Sequence, residues 1–291
     1  MTHDEEVRVS ELPGEVAVKR DRLLELLRSF GSCAVAFSGG LDSTVLAKAA
    51  CLALGDRAVA VTGVSPSLAV GELDECRDLA ARIGIRHEVI QTEELSNPDY
   101  QKNAPDRCFH CKTELFSQVE KIAERLDVAV VADGSNRDDH GEHRPGLRAA
   151  QQRKVRSPLA DCDLTKPELR LLARHWGLPT WDKPAAPCLS SRIAYGEQVT
   201  PERLAMVDAA ERFLRSRGFS PLRVRYHRGD IARIEVAAEA LPRLVDPPMR
   251  QEVVEQLSAL GFKYVSVDLR GFRSGSLNEI LPAESLQILA R

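Results

Sequence analysis

The apolar run at residues 33–37 stops at Ser38-Gly39-Gly40-Leu41-Asp42-Ser43 and gives way to an apolar helical pattern over 43–54 that ends at Gly55. A buried strand, a glycine turn and a helix in that order confine the chain to a layered α/β unit. The alternation continues. Residues 58–64, 87–91 and 128–132 read as strands, and 73–83 and 113–126 as helices. A helix over 15–30 precedes the first strand. This order predicts an α/β fold with a parallel sheet covered on both faces. Residues 155–159 read as one more short strand. A helix over 166–176 follows, with Thr165 as N-cap, Pro167 in its first turn and Gly177 at its end.

The pattern changes after a Pro-rich stretch, 179–196, which carries Pro179, Pro184, Pro187 and Gly196. Residues 202–217 form an amphipathic helix with Leu204, Val207 and Leu214 at helical spacing. Residues 222–226 and 231–236 alternate at period two around His227-Arg228-Gly229-Asp230, the pattern of a hairpin. A helix over 249–260 and a strand over 264–269 complete a small α+β unit. The expected division is 1–188 for the parallel-sheet domain and 189–291 for a C-terminal domain that binds substrate or joins subunits.

A chain of 291 residues with 43% hydrophobic and 29% charged content supports two packed domains and excludes wholesale disorder. No apolar run approaches the roughly 20 residues of a membrane helix. Met1-Thr2-His3-Asp4-Glu5-Glu6 is acidic and shows no signal-peptide pattern, so the expectation is a cytoplasmic enzyme. The net charge of −3 speaks against a chain built to hold nucleic acid. Within 189–291, however, 14 arginines and one lysine face 13 acidic residues. Arginine captures phosphate and carboxylate with two parallel hydrogen bonds, so this excess suits a small anionic ligand. Seven cysteines, an odd number, argue against a disulfide framework. Cys33, Cys51 and Cys76 lie in apolar patterns and read as core residues. Cys162 carries no assignment.

The glycine turn has a chemistry. Gly39 and Gly40 let backbone N–H groups approach phosphate oxygens. The helix that begins near Asp42 adds unpaired N–H groups and the positive end of its dipole. Ser38 and Ser43 add hydroxyl groups. Asp42 among phosphates requires a cation between them, and Mg²⁺ meets that need. The segment resembles the PP-loop of the ATP pyrophosphatase family. That resemblance implies attack on the α-phosphate of ATP and release of pyrophosphate. By the same likeness, Gly134 within Asp133-Gly134-Ser135-Asn136 and Thr62 at the end of the second strand flank the nucleotide.

Cys108 and Cys111 form a C-x-x-C within Arg107-Cys108-Phe109-His110-Cys111-Lys112. Alone, the pair is a metal site, a redox pair or chance. A zinc site would need further ligands, of which His110 and His140 are candidates. Cys188 stands in a Pro-rich loop with Lys183 and Arg192 nearby in sequence, and neighbouring cations favour a thiolate. Arg223 and Arg225 alternate on one strand and so share a face, which suits a phosphate. Glu211 and Glu235 read as residues that bind metal or shape the site. Trp176 and Trp181 read as packing.

Taken together, the phosphate loop, the Arg-Cys-x-x-Cys-Lys segment, Pro187-Cys188-Leu189-Ser190-Ser191-Arg192, the Arg223-Val224-Arg225 and Arg233-Ile234-Glu235 pair, and Arg273-Ser274-Gly275-Ser276-Leu277-Asn278 resemble the LarE family over nearly the whole chain. The resemblance implies an ATP-dependent sulfur transferase of nickel-pincer nucleotide synthesis, the cofactor of lactate racemase. Its substrate resembles a pyridinium-3,5-dicarboxylate mononucleotide, whose carboxylates become thiocarboxylates. Ser191, Arg192, Arg223 and Arg225 then bind substrate or its phosphate. Two sulfur chemistries are implied. In one, the residue at Cys188 gives up its own sulfur and becomes dehydroalanine. In the other, Cys108, Cys111 and Cys188 hold a 4Fe-4S cluster whose fourth iron binds sulfide, and the three-cysteine set favours this form. Phe109 and His110 inside the pair depart from some members of the family. Sulfide or a sulfur donor and a homo-oligomer complete the expected partners. The rival readings are another PP-loop adenylating enzyme, acting in tRNA thiolation or amide formation, and a non-catalytic nucleotide-binding iron-sulfur sensor.

Overall fold

The computed structural model describes residues 12–141, 145–184 and 186–280. The expectations placed on the first six residues and on the His140 side chain lie outside what is described. In chain order the elements are α1 (Gly14–Ser29), β1 (Cys33–Ala36), α2 (Leu41–Leu54), β2 (Ala58–Val64), α3 (Glu72–Ile83), β3 (Arg86–Gln91), α4 (Pro98–Gln101), α5 (Arg107–Arg125) and β4 (Val130–Ala132). They continue with α6 (Pro145–Gln152), α7 (Pro158–Asp161), α8 (Lys166–His175), α9 (Pro201–Ser216), β5 (Leu222–His227), β6 (Ile231–Val236), α10 (Leu241–Val245), α11 (Pro247–Ala259) and β7 (Tyr264–Val267). Among the described residues no helix is long and apolar enough to cross a membrane.

The chain divides into two compact units, and each is interrupted in sequence. The first holds the chain through Val64, then Gly71–Thr92 and Cys111–Ala186. Its four strands lie in the order β3-β2-β1-β4, and each pair is parallel. This is the expected parallel sheet. Strand direction explains its core. Side chains of β1 alternate between the faces. Cys33 and Val35 join Val45, Leu46, Leu23 and Leu27 of α2 and α1 in one cluster, whereas Ala34 joins Val59, Val61, Val119 and Ala123 in the other. Cys33 is a core residue, and burial pushes its thiol up to about 12.

Strand β1 has β2 on one side and β4 on the other. The chain order therefore reverses between β1 and β4, and the loops leaving their carboxyl ends flank a crevice. The loop after β1 is 38–43, and the loop after β4 is 133–136.

The expected strand at 155–159 is not formed. Arg156 makes only an isolated bridge to Ala132, and Pro158 starts α7, a position where its missing N–H costs nothing. Helix α8 opens as expected at Thr165. The Glu168 carboxylate accepts both the Thr165 backbone N–H and its hydroxyl, each at 2.8 Å. Helix α5 begins six residues earlier than its apolar periodicity indicates, at Arg107, so the C-x-x-C pair is helical.

The second unit holds Ser65–Val70, Glu93–His110 and the chain from Pro187 onward. Its sheet runs β5-β6-β7, with β5 and β6 antiparallel and β6 and β7 parallel. Leu204, Val207 and Leu214 on α9 are fully buried, as are Val224 on β5 and Ile234 on β6. The last strand ends at Val267 rather than at residue 269, where Leu269 is 87% exposed.

Candidate functional site

Helix α2 starts at Leu41 behind Gly40. Gly39 adopts φ +65°, a left-handed conformation open to glycine, and a Cβ there would meet Cys76 Sγ at 3.0 Å. The loop is therefore tight for a backbone reason. Its hydroxyls close on one another: Ser38 Oγ and Ser43 Oγ lie 3.1 Å apart, the Ser38 N–H donates to Ser43 Oγ at 3.2 Å, and Ser43 Oγ donates to Gly40 O at 3.2 Å. The first N–H groups of α2 have no intrahelical acceptor, which makes this helix end an anion cradle.

Asp42 is divided between two environments. Its Oδ2 accepts from the Lys166 ammonium at 2.5 Å. Its Oδ1 is buried without a hydrogen-bond partner. An orphaned carboxylate oxygen beside an anion cradle fits a hard divalent cation such as Mg²⁺. Lys166 escaped sequence reasoning. The helix start at Thr165 was legible, but not the reach of its first residue to a carboxylate 124 positions away. Lys183, noted only for its place in sequence near Cys188, extends to Gly39 O at 3.3 Å and to Glu75 at 2.8 Å.

The loop after β4 closes the crevice. A Cβ on Gly134 would lie 2.9 Å from Ser43 N and 3.1 Å from the Asp42 carbonyl carbon. Only glycine lets this loop touch the first turn of α2. Asp133 holds the loop by accepting from Ser135 N at 3.2 Å, Ser135 Oγ at 2.8 Å and Ser157 Oγ at 2.8 Å. The loop also fixes α8, since Asp138 Oδ2 accepts the Lys166 backbone N–H at 2.7 Å. Thr62 is buried, and its hydroxyl donates to Phe37 O at 2.8 Å. That spends its one proton, so the His87 Nε2 at 2.8 Å donates to it. Thr62 thus shapes the end of β2 rather than offering a hydroxyl.

In the second unit, arginines gather around two buried glutamates. Glu211 is fully buried and accepts from Arg192 at 3.0 and 3.3 Å, from Arg215 at 2.5 Å and from Val224 N at 3.1 Å. Glu235, also fully buried, accepts from Arg225 at 2.9 Å and Ser276 at 2.6 Å. Both carboxylates are engaged by these partners. Arg192 and Arg225 are buried as well. Arg192 donates to Cys188 O at 2.8 Å, and Arg225 to Ser191 O at 3.1 Å, so both brace the 188–192 turn. Arg223 differs. Its pKa is lowered to about 10, first by burial and then by Arg192, Arg225 and Arg215 against Glu211. A cation held in net positive surroundings attracts an anion, and its guanidinium lies over the Phe272 ring at 5.3 Å.

Cys108 and Cys188 are exposed and Cys111 is half-buried. Cys108 and Cys111 both lie in the first turns of α5. Arg107 is buried and feels both Cys108 and Cys188. Burial opposes its charge, and Cys108, Cys188, Tyr100 and Tyr195 outweigh burial to raise its pKa. Its Nη1 donates to Ser190 O at 2.8 Å and to Asn103 Oδ1. Asn103 in turn donates to Ile193 O at 3.1 Å and Ala194 O at 2.8 Å. Ser191 caps this stretch through a 2.7 Å hydrogen bond to Cys188 O. His110 lies 3.5 Å from Asp106 and edge-on to Phe109. Among the described residues no three His, Cys, Asp or Glu side chains are grouped as ligands of a metal ion.

No family model matches the sequence. An uncharacterised protein of Synechocystis is 44% identical over 90% of this chain and 98% of its own. The pyridinium-3,5-bisthiocarboxylic acid mononucleotide synthase of Lactiplantibacillus plantarum is 37% identical over 94% of this chain and 99% of its own. A tRNA-specific 2-thiouridylase of Beijerinckia indica is 29% identical over 51% of this chain and 43% of its own. The shorter match agrees with an α/β fold of the PP-loop superfamily. The match to the synthase runs along nearly all of both chains and so takes in most of the second unit as well. On these grounds the chain belongs to the LarE family, the family of pyridinium-3,5-bisthiocarboxylic acid mononucleotide synthase.

Proposed function

We propose that the chain is an ATP-dependent sulfur transferase that adenylates the carboxylates of a pyridinium dicarboxylate mononucleotide and converts them to thiocarboxylates. The observation that carries this reading is the likeness to the synthase over nearly all of both chains. The geometry agrees with it. The glycine loop, the first turn of α2 and Gly134 form a cradle for the phosphates of ATP at the carboxyl end of a parallel sheet. Asp42 would hold Mg²⁺, which neutralises phosphate charge when bound.

Within this reading Ser38, Gly39, Gly40 and Ser43 orient the triphosphate, and Thr62 and Gly134 shape the nucleoside side. A substrate carboxylate attacks the α-phosphorus, the bond to the β-phosphate oxygen breaks, and pyrophosphate leaves. The carboxylate is then an acyl adenylate. A sulfur nucleophile adds to the acyl carbon, and AMP departs with the C–O bonding pair. Arg223, with Arg225 and Arg192 behind it, holds the substrate's phosphate. Ser191 lines the turn that presents Cys188.

For the sulfur source we favour the three-cysteine form. Cys108 follows buried Arg107, whose charge Cys108 and Cys188 both favour, and Cys111 stands three residues further along the same helix. Three thiolates are the donor set of a 4Fe-4S cluster with one open iron, and such a cluster would supply sulfide. A sulfide donor, a cytoplasmic setting and a homo-oligomer joined through the second unit belong to the same reading. Anaerobic purification with iron and sulfide analysis, followed by intact mass after turnover, tests it. About four irons per chain, an unchanged mass and multiple turnovers are expected. A protein without iron that loses one H₂S equivalent at Cys188 would establish the sacrificial chemistry instead. Failure to release pyrophosphate from ATP with the dicarboxylate nucleotide would overturn the transferase reading itself.

A further inference from the structure

The Asp42 carboxylate is a half-filled cation site. One oxygen is buried and orphaned, and the other holds the Lys166 ammonium at 2.5 Å. The two side chains retain 38% and 24% of their exposure, Lys166 and Asp42 respectively, so the ammonium can leave without being dragged from a dry interior. The Lys166 backbone cannot leave. Its N–H is tied to Asp138, and the Thr165–Glu168 cap anchors the first turn of α8. Glu168 is itself held by Lys19 at 2.8 Å. Lys166 is thus a partly exposed ammonium on a fixed backbone, paired with the carboxylate of the 38–43 loop.

We propose that Lys166 is a triphosphate-positioning residue that occupies Asp42 as a stand-in cation until a divalent metal and nucleotide arrive. The idea rests on the reading that the 38–43 loop binds Mg²⁺·ATP. A divalent cation on Asp42 repels an ammonium a few ångströms away. The triphosphate beside it offers that ammonium a more negative partner. The lysine therefore moves from carboxylate to phosphate as the metal enters, and the site never holds an uncompensated carboxylate against an anionic ligand. The exchange lowers the affinity for free metal, raises the affinity for the metal–nucleotide pair, and so couples the two.

This makes one substitution act with opposite signs on two ligands. The test measures Mn²⁺ alone by EPR, and Mn²⁺ with an ATP analogue whose α,β bond cannot be cleaved, in the wild type, Lys166→Gln and Lys166→Arg. Loss of an exposed competing cation should tighten free Mn²⁺ about two- to fivefold in Lys166→Gln. Loss of a charged contact to phosphate should weaken the nucleotide analogue at least about tenfold. Lys166→Arg should stay near wild type for both. A general structural defect would weaken both ligands. Unchanged or weaker Mn²⁺ binding, or unchanged nucleotide binding, in a folded Lys166→Gln protein overturns the proposal. If the wild type itself binds no metal–nucleotide pair, the reading of the loop fails first.

Discussion

Gly134 and Ser43 come from segments 91 positions apart, yet a Cβ on Gly134 would lie 2.9 Å from the Ser43 amide nitrogen. The neighbouring atoms are backbone at the start of α2, so they cannot give way as a flexible side chain would. Gly134→Ala should destabilise the first unit by about 1–3 kcal/mol, the usual cost of overpacking. Because the displaced atoms belong to the loop proposed to hold the triphosphate, nucleotide affinity should fall further than the melting temperature implies. Thermal melts with and without Mg²⁺·ATP check this: the variant should lose most of the ligand-induced rise.

Glu211 is the acceptor for two arginines and for the backbone of β5. Glu211→Ala leaves buried Arg192 without its counter-charge. Removing one partner of such a pair costs about 3–5 kcal/mol. Chemical denaturation should show this loss. Limited proteolysis should show new cleavage near residues 187–192, because Arg192 braces the Pro187 and Cys188 carbonyls.

Two histidines make stability fall on mild acidification. Burial lowers the His87 pKa, with Arg77 adding to it and Glu88 opposing. Burial also lowers that of His227, with Arg233 and Arg225 adding and Glu235 opposing. Below the unfolded value of about 6.5 the unfolded chain binds protons that the folded chain refuses. Stability is therefore full above that pH and declines as pH drops toward the lower folded values. Melting temperatures from pH 7.5 to 5 should fall, and His87→Gln, which keeps a donor to Thr62 but cannot titrate, should flatten the decline. The acids whose pKa values are depressed by hydrogen bonds, such as Asp230 with Lys263 and Tyr226, act in a separate and more acidic window.

On the proposed function Arg223 holds a phosphate remote from the reacting carboxylate, whose charge does not change, so it should bind the ground and transition states equally. Arg223→Gln should raise KM for the nucleotide substrate by about 10- to 100-fold, the worth of a charged hydrogen bond, with kcat little altered. Steady-state kinetics separate the two. Equal losses in kcat and kcat/KM would place Arg223 at the reacting group instead.

The fold's main lines were legible because they follow from local periodicity. Residues 33–37 and 43–54 alternate as strand and helix whatever surrounds them, and glycines at 39 and 40 mark the turn. The hairpin at 222–236 showed itself by period-two alternation. The C-x-x-C pair was harder to place. Cys108 and His110 have no strong local preference, and Pro105 looks like the edge of a loop, so the start of α5 at Arg107 was hidden. The strand expected at 155–159 had apolar residues of the right number, but Pro158 is better used to open a helix.

The sequence by itself determined the parallel sheet, the glycine loop that leads into α2, and the two arginines on one strand. Glycine geometry, helix dipoles and side-chain alternation are local properties, so residue order suffices for them. Only the tertiary structure decided which charges meet. It sets Lys166 on Asp42, saturates Glu211 and Glu235 with arginines, and presses Gly134 onto Ser43. It also assigns residues 65–70 and 93–110 to the second unit. Electrostatic pairing and close packing depend on separation in space, and no spacing along a chain encodes that directly.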